Sequence, residues 1–302
     1  MEGGKVAVFH FHIFKFANYH INMHRRQFLK NTTPVLLLLT NGNLLYRTVE
    51  ELASPRNKVK FRFAVASDGH FGEPKTSWES DYTSIISHIN QQHKQSRLQA
   101  CIINGDIIHN DPAMMPLAKK QLDQLKMPYY VTQGNHDRVS EEVWRTTWNM
   151  PLNHSFEIGK QVFLLGTTSN EKGEYICPDL DWMRAQLEKY KKAPNVFIAI
   201  HITPVKWTDN ARDCPEFISL LKDYKNVRAV FNGHDHDQDD MKEREGIPFL
   251  FDSHIGGSWG TTYKGFRMVE VMEDNTVATY ILNPEAKLNE HILQERTIAV
   301  NA

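Results

Sequence analysis

Apolar runs and their spacing divide this chain into elements from residue 58 onward. Phe61–Ser67 is rich in aromatic and small apolar positions and predicts a strand ending at Asp68 and Gly69. Tyr82, Ile85, Ile86 and Ile89 form a helical stripe, so Glu79–Gln95 predicts a helix with one buried face. Leu98–Asn104 predicts a second strand, ending at Gly105-Asp106. Pro112 suits the first position of a helix whose apolar side would carry Met115, Leu117, Leu122 and Leu125. Pro128–Thr132 predicts a third strand, running into Gly134-Asn135-His136.

The same rhythm returns further on. Asp179–Lys191 predicts a helix, Val196–Ile200 a strand ending at His201, Pro215–Tyr224 a helix, and Val227–Asn232 a strand ending at Gly233-His234. Strand, polar turn, helix, strand is the pattern of an α/β fold. The tail differs: Phe266–Met272, an Asp274-Asn275 turn and Thr276–Leu282 read as an antiparallel hairpin. No internal repeat, low-complexity tract or linker interrupts residues 58–302, which predicts one domain behind an extension of residues 1–57.

Composition narrows the classes. Of 302 residues, 41% are hydrophobic and 11% aromatic, ample for a buried core. A formal charge of -1 gives no basic surplus for stable nucleic-acid binding. The three cysteines, Cys101, Cys177 and Cys214, lack C-x-x-C spacing and are too few for a disulfide framework. Cys101 lies in an apolar run and reads as a small core residue. Cys177 and Cys214 are either a pair formed in an oxidising compartment or two free thiols.

The chemistry lies at the strand ends. Asp68-Gly69-His70, Gly105-Asp106, Gly134-Asn135-His136-Asp137, His201 and Gly233-His234-Asp235-His236 supply seven oxygen or imidazole donors and one spare histidine. In open α/β sheets, ligands bind outside the carboxyl ends of the strands. Residues i and i+2 on extended backbone point the same way, so Asp68 with His70, and His234 with His236, can each address one side. Taken singly, Asp68, Asp106 and Asn135 would serve as helix caps, and His201 as a packed or surface histidine. Five such segments in this order, each at a strand end, argue for one metal-binding crevice.

That ordered set resembles the signature of the calcineurin-like metallophosphoesterases, over Phe61 to Asn283. The resemblance implies a four-layer α/β/β/α sandwich of two mixed sheets, with the tail hairpin in the second sheet. It implies two divalent or transition metal ions (Mn, Fe, Zn or Ni). Asp68, His70, Asp106 and His236 would hold one; Asp106, Asn135, His201 and His234 would hold the other, with Asp106 bridging. A hydroxide bridging the ions would attack a phosphate ester in line. His136 matches the non-ligand histidine that orients the phosphate and protonates the leaving group. Asp137 either hydrogen-bonds His136, as part of the catalytic pair, or caps the turn. His109 and Asn110 lie close enough in sequence to support the ligands. The absence of a tyrosine after Gly105-Asp106 separates the chain from the purple acid phosphatase branch.

These features favour a hydrolase acting on a small-molecule phosphate ester, a phosphodiester above a monoester. A nuclease is the alternative, since Gly-Asp-x-x-His followed by Gly-Asn-His-Asp also resembles the DNA-repair nucleases of this family; a non-catalytic scaffold is a third reading. Trp207, Asp209, Asn210, Arg212 and Asp213 either line the entrance or form an ordinary polar loop. His254, near Gly256-Gly257, is either close to the site or a surface histidine.

The N-terminus has a separate logic. Arg25-Arg26-Gln27-Phe28-Leu29-Lys30 precedes the short apolar run Val35–Leu39, and Pro34, Asn41, Gly42 and Asn43 break any helical period. This order resembles a twin-arginine export signal, too short to span a membrane as a helix. The resemblance implies the twin-arginine export machinery as a partner and a periplasmic or extracellular bacterial location. It also implies translation from Met23 in place of Met1. No small-x-small cleavage site stands out before Ala53. An uncleaved signal would leave the protein associated with the membrane.

Overall fold

The computed structural model describes residues 58–296, and the backbone of β1 (Val35–Thr40) and β2 (Asn43–Thr48). These two strands pair antiparallel, Val35 opposite Thr48 and Thr40 opposite Asn43. In sequence they are separated by Asn-Gly, the dipeptide most favoured between hairpin strands. Part of the expected signal's apolar run is thus paired strand backbone. The arginine pair and Met23 lie outside the described residues, as does any processing site before residue 58.

The domain is built from two six-stranded mixed sheets. The first has the order β14 (Lys287–Leu293), β13 (Val277–Leu282), β12 (Phe266–Met272), β3 (Val59–Ala66), β4 (Ala100–Asn104), β5 (Tyr129–Thr132). The second runs β10 (Met241–Arg244), β11 (Ile247–Phe251), β9 (Val227–Asn232), β8 (Asn195–Ile200), β7 (Gln161–Gly166), β6 (His154–Ile158). Strands β3, β4 and β5 are mutually parallel, as are β7, β8, β9 and β11.

Alternation within the strands makes the layers. On β3, Phe61, Phe63 and Val65 face the space between the sheets, where they meet Phe163, Phe197 and Phe231. Phe63 packs edge-on against Phe163 at 4.9 Å and against Phe197 at 5.0 Å. Ala64 and Ala66 face the other way, toward α1 (Trp78–Gln95), α2 (Met115–Leu122) and α3 (Glu141–Trp148). The second sheet does the same: Val196, Ile198 and Ile200 pack under α4 (Leu180–Lys189) and α5 (Pro215–Lys222). The result is the α/β/β/α sandwich with two mixed sheets. Among the described residues, no helix is long and apolar enough to cross a membrane.

One expectation is corrected. The tail hairpin β12–β13 joins the first sheet, not the second. β12 runs antiparallel to β3, with Arg267 opposite Val65 and Val269 opposite Phe63. Val269, Val271 and Val277 belong to the same inter-sheet core as Phe63, so burial of one continuous apolar face decides the partner.

Candidate metal centre

Parallel pairing brings the ends of β3, β4 and β5 side by side in one sheet, and those of β8 and β9 side by side in the other. The loops that follow converge. Asp68, His70, Asp106, Asn135, His201, His234 and His236 are all buried. Asp68, His70 and His236 form one cluster of donor atoms, and Asp106, His201 and His234 form a second.

Local backbone is shaped for this approach. Gly233 has no room for a side chain, since a Cβ there would lie 1.9 Å from Ser67 Oγ and 2.5 Å from Asp68 Oδ2. A Cβ on Gly134 would meet the Asp106 amide nitrogen at 2.2 Å. Glycine lets these loops touch, Gly233 across the two sheets and Gly134 within the first.

Asp106, a member of the second cluster, also approaches the first. Its Oδ1 accepts the His136 amide at 2.7 Å. Its Oδ2 is 3.6 Å from His70 Nε2 and 3.2 Å from His201 Nε2. In the first cluster, His236 Nε2 is 3.1 Å from Asp68 Oδ1 and 3.0 Å from His70 Nε2. Two imidazole nitrogens that close, beside a carboxylate, suit a shared cation better than each other.

The backs of the imidazoles are held. His201 Nδ1 donates to the Asn104 carbonyl at 2.7 Å, and His236 Nδ1 donates to the Trp259 carbonyl at 3.1 Å. Such bonds fix ring orientation and point Nε2 inward. Asn135 Oδ1, His201 Nε2 and His234 Nε2 are buried without a hydrogen-bond partner. Unsatisfied buried polar atoms are costly; the two imidazole nitrogens share one donor cluster with Asp106 and mark a place for a ligand, and Asn135 Oδ1 is a further open acceptor. Carboxylate, imidazole and amide oxygen form a coherent donor set for transition metals, so these residues fit bound metal.

The electrostatics agree. Burial opposes ionisation of Asp68 and Asp106, yet nearby histidines outweigh it and keep both carboxyls well below the usual range. Burial also disfavours charge on His201, but Asp106 and Asp68 raise it to about 10. His70 and His234 go the other way, lowered by burial to about 3 and about 4. The carboxylates draw positive charge into the crevice, a demand that a metal cation meets as well as a proton does.

His136 is more open than these residues. Its Nδ1 lies 3.0 Å from Asn110 Oδ1, and its ring stacks on His109 at 4.7 Å. His109 Nδ1 is in turn 3.1 Å from His70 Nδ1. His109 and Asn110 therefore support His70 and His136 from behind. Asp137 does not act through His136: its carboxylate accepts from the Ile108 amide and the Gly134 amide, both at 2.9 Å. With burial pushing it up to about 8, it is a clamp between two ligand loops.

Three further placements were open in the sequence. His254 is at the site, stacked on His236 at 4.9 Å. Asn210 reaches inward, donating to Asp235 Oδ1 at 3.1 Å, with Thr208 Oγ1 3.1 Å from Oδ2. The loop after β8 thus braces the turn carrying His234 and His236. Trp207 instead packs on Phe249 and Phe251. Sequence reasoning missed Trp259, stacked on His236 at 4.4 Å, and Tyr175, edge-on to His234 at 4.9 Å. Neither sits in a regular element or a recognisable spacing. Cys177 and Cys214 form a disulfide, while Cys101 is free and buried, its thiol pushed up to about 12.

Two sheets meeting at a cluster of buried carboxylates and histidines define an α/β sandwich with a candidate metal site. Residues 61–238, more than half of the chain, match the calcineurin-like phosphoesterase family, and the chain belongs to it. A probable cyclic nucleotide phosphodiesterase from Psychrobacter arcticus is 25% identical over 178 residues, covering 51% of this chain and 62% of that relative. The chain thus spans about three-fifths of that protein's length. A probable glycerophosphodiester phosphodiesterase GpdQ from Arcobacter nitrofigilis is 27% identical over 189 residues, covering 57% of this chain and 68% of that one. A dimetal phosphatase from Danio rerio shares the fold, with a TM-score of 0.64 at 14% identity over 79% of this chain and all of its own.

Proposed function

We propose that the protein is a dinuclear-metal phosphohydrolase acting on small phosphate esters, with phosphodiesters favoured. The carrying observation is the shared carboxylate, since Asp106 Oδ2 faces His70 on one side and His201 on the other. Asp68, His70, Asp106 and His236 would hold one ion, and Asp106, Asn135, His201 and His234 the second. When bound, two such ions lower the pKa of a water between them and offset charge on the phosphoryl oxygens. His136, turned by Asn110, orients the phosphate and gives a proton to the departing alkoxide. The names of the two bacterial relatives support a diester substrate. The formal charge of -1 weighs against a nuclease, and the complete donor set against a scaffold.

The test is a metal-reconstituted screen of bis-p-nitrophenyl phosphate, p-nitrophenyl phosphate, cyclic nucleotides and glycerophosphodiesters. Turnover of diesters ahead of monoesters is expected. Saturation at one metal per chain would reject the dinuclear reading, and cleavage of DNA in place of small esters would turn the assignment toward a nuclease.

The same proposal places the protein outside the cytoplasm, through a twin-arginine signal beginning near Met23. The Cys177–Cys214 disulfide supports this, because such bonds persist in oxidising compartments. Cell fractionation and mass spectrometry of the natural N-terminus test it. A peptide covering Val6–Asn22 would rule out the Met23 start, and exclusive recovery from the cytoplasm would rule out export.

A further inference from the structure

Trp259 is one of the few large apolar residues exposed among those described, at 45%, and it stands beside the metal centre. A single exposed aromatic is ordinary; what sets Trp259 apart is its place against a ring of the candidate metal centre. One face of the indole lies parallel to the His236 ring, 4.4 Å away at 5°. His254 also stacks on His236, at 4.9 Å and 13°. The exposed part of Trp259 thus continues a stack that starts in the interior.

The segment carrying it is held in place. The Trp259 carbonyl accepts a hydrogen bond from His236 Nδ1, and the Thr261 amide donates to the His236 carbonyl at 3.0 Å. On the other side, Ser258 Oγ donates to Glu73 Oε1 at 2.6 Å, reaching the loop after His70. An indole fixed by its own backbone loses little freedom when it takes a ligand. The second donor cluster also has an aromatic neighbour, Tyr175, whose ring stands edge-on to His234.

We propose that Trp259 is a specificity-determining residue, a stacking platform for a planar aromatic group on one arm of the phosphodiester, a nucleobase or an aryl ring. The inference rests on the phosphodiesterase reading and adds the substrate class. His236 belongs to a donor cluster of the candidate centre, so a phosphate held there would bring its ester arms to the side of the crevice where the Trp259 ring covers His236. A polyol arm gains little from an indole face, whereas a π-system gains stacking that is indifferent to its hydrogen-bonding pattern.

The test compares the metal-loaded wild type with Trp259→Ala and Trp259→Phe. KM and kcat are measured for an aryl or nucleoside diester and for a glycerophosphodiester. Metal content is measured in parallel, with calorimetric binding of adenosine 5′-monophosphate against glycerol 3-phosphate. In Trp259→Ala we expect kcat/KM to shift about tenfold or more against the aromatic diester relative to the glycerol one, mainly through KM. We expect matching loss of adenosine monophosphate binding, full metal content and recovery in Trp259→Phe. Equal losses on both esters, or loss of metal, would make Trp259 a packing partner of His236 and overturn the proposal. If the wild type turned over neither ester, the phosphodiesterase reading would fall, and the binding arm would still decide the platform.

Discussion

Asp68, His70, Asp106 and His234 all have positive φ, between 45° and 68°. Left-handed backbone is unfavourable for residues with a side chain and persists where surrounding structure enforces it. Here it turns carboxylates and imidazoles inward immediately after a strand or turn. The roles of Asp106 and His136 separate by experiment at this scale. Asp106→Asn removes the shared charge, so activity should vanish and metal content fall; full activity with normal metal would refute the bridging role. His136→Ala should keep its metal and lose rate, most for esters with poor leaving groups. If it loses both ions, His136 is a ligand. Asp137 illustrates what a motif conceals: Gly-Asn-His-Asp invites a catalytic pair, but two backbone amides occupy the carboxylate. Sequence adjacency cannot show which way a side chain leaves the turn.

At the scale of elements, the five strand-ends that carry donors were legible because each joins a short apolar run to a polar turn. β7 and β11, fully buried apolar runs that carry no donor set of the motif, were not read, and neither were elements of weaker contrast. α3 buries only Trp144 and Trp148, one turn apart, and β6 is a partly exposed edge strand. β10 is a four-residue edge, and β14 alternates too weakly to be read alone. The disulfide joins the segment that carries Tyr175 to the start of α5, across 37 residues. Replacing both cysteines with serine, or adding reductant, should lower unfolding stability by about 2–4 kcal/mol, read from denaturant curves. Unchanged stability would mean that the loops hold each other without the bond.

At the scale of the whole domain, the candidate metal centre joins the two sheets. Asp68, His70, Asp106 and Asn135 follow strands of the first sheet, and His201, His234 and His236 follow strands of the second. Arg267 on β12 adds a second tie, bonding to Asp252 just past β11 at 2.8 Å. Ions that bind only the folded state add stability by mass action, about 2.7 kcal/mol at a free concentration one hundred times Kd. Chelation should therefore lower the melting temperature, and added metal should restore it. A melting temperature indifferent to both would argue against ions held between the sheets.

What the sequence determined by itself was local: apolar periodicity, strand-end turns and the donor types placed in them. Periodicity is a property of short segments, and metal donors keep their chemistry wherever the chain carries them. What only the tertiary structure decided was proximity. It paired β12 with β3, bound Asp137 to two amides, joined Cys177 to Cys214 and set Trp259 on His236. Each of those contacts links distant positions or depends on a side chain's direction, and each is settled by the burial of faces that no single segment can bury alone.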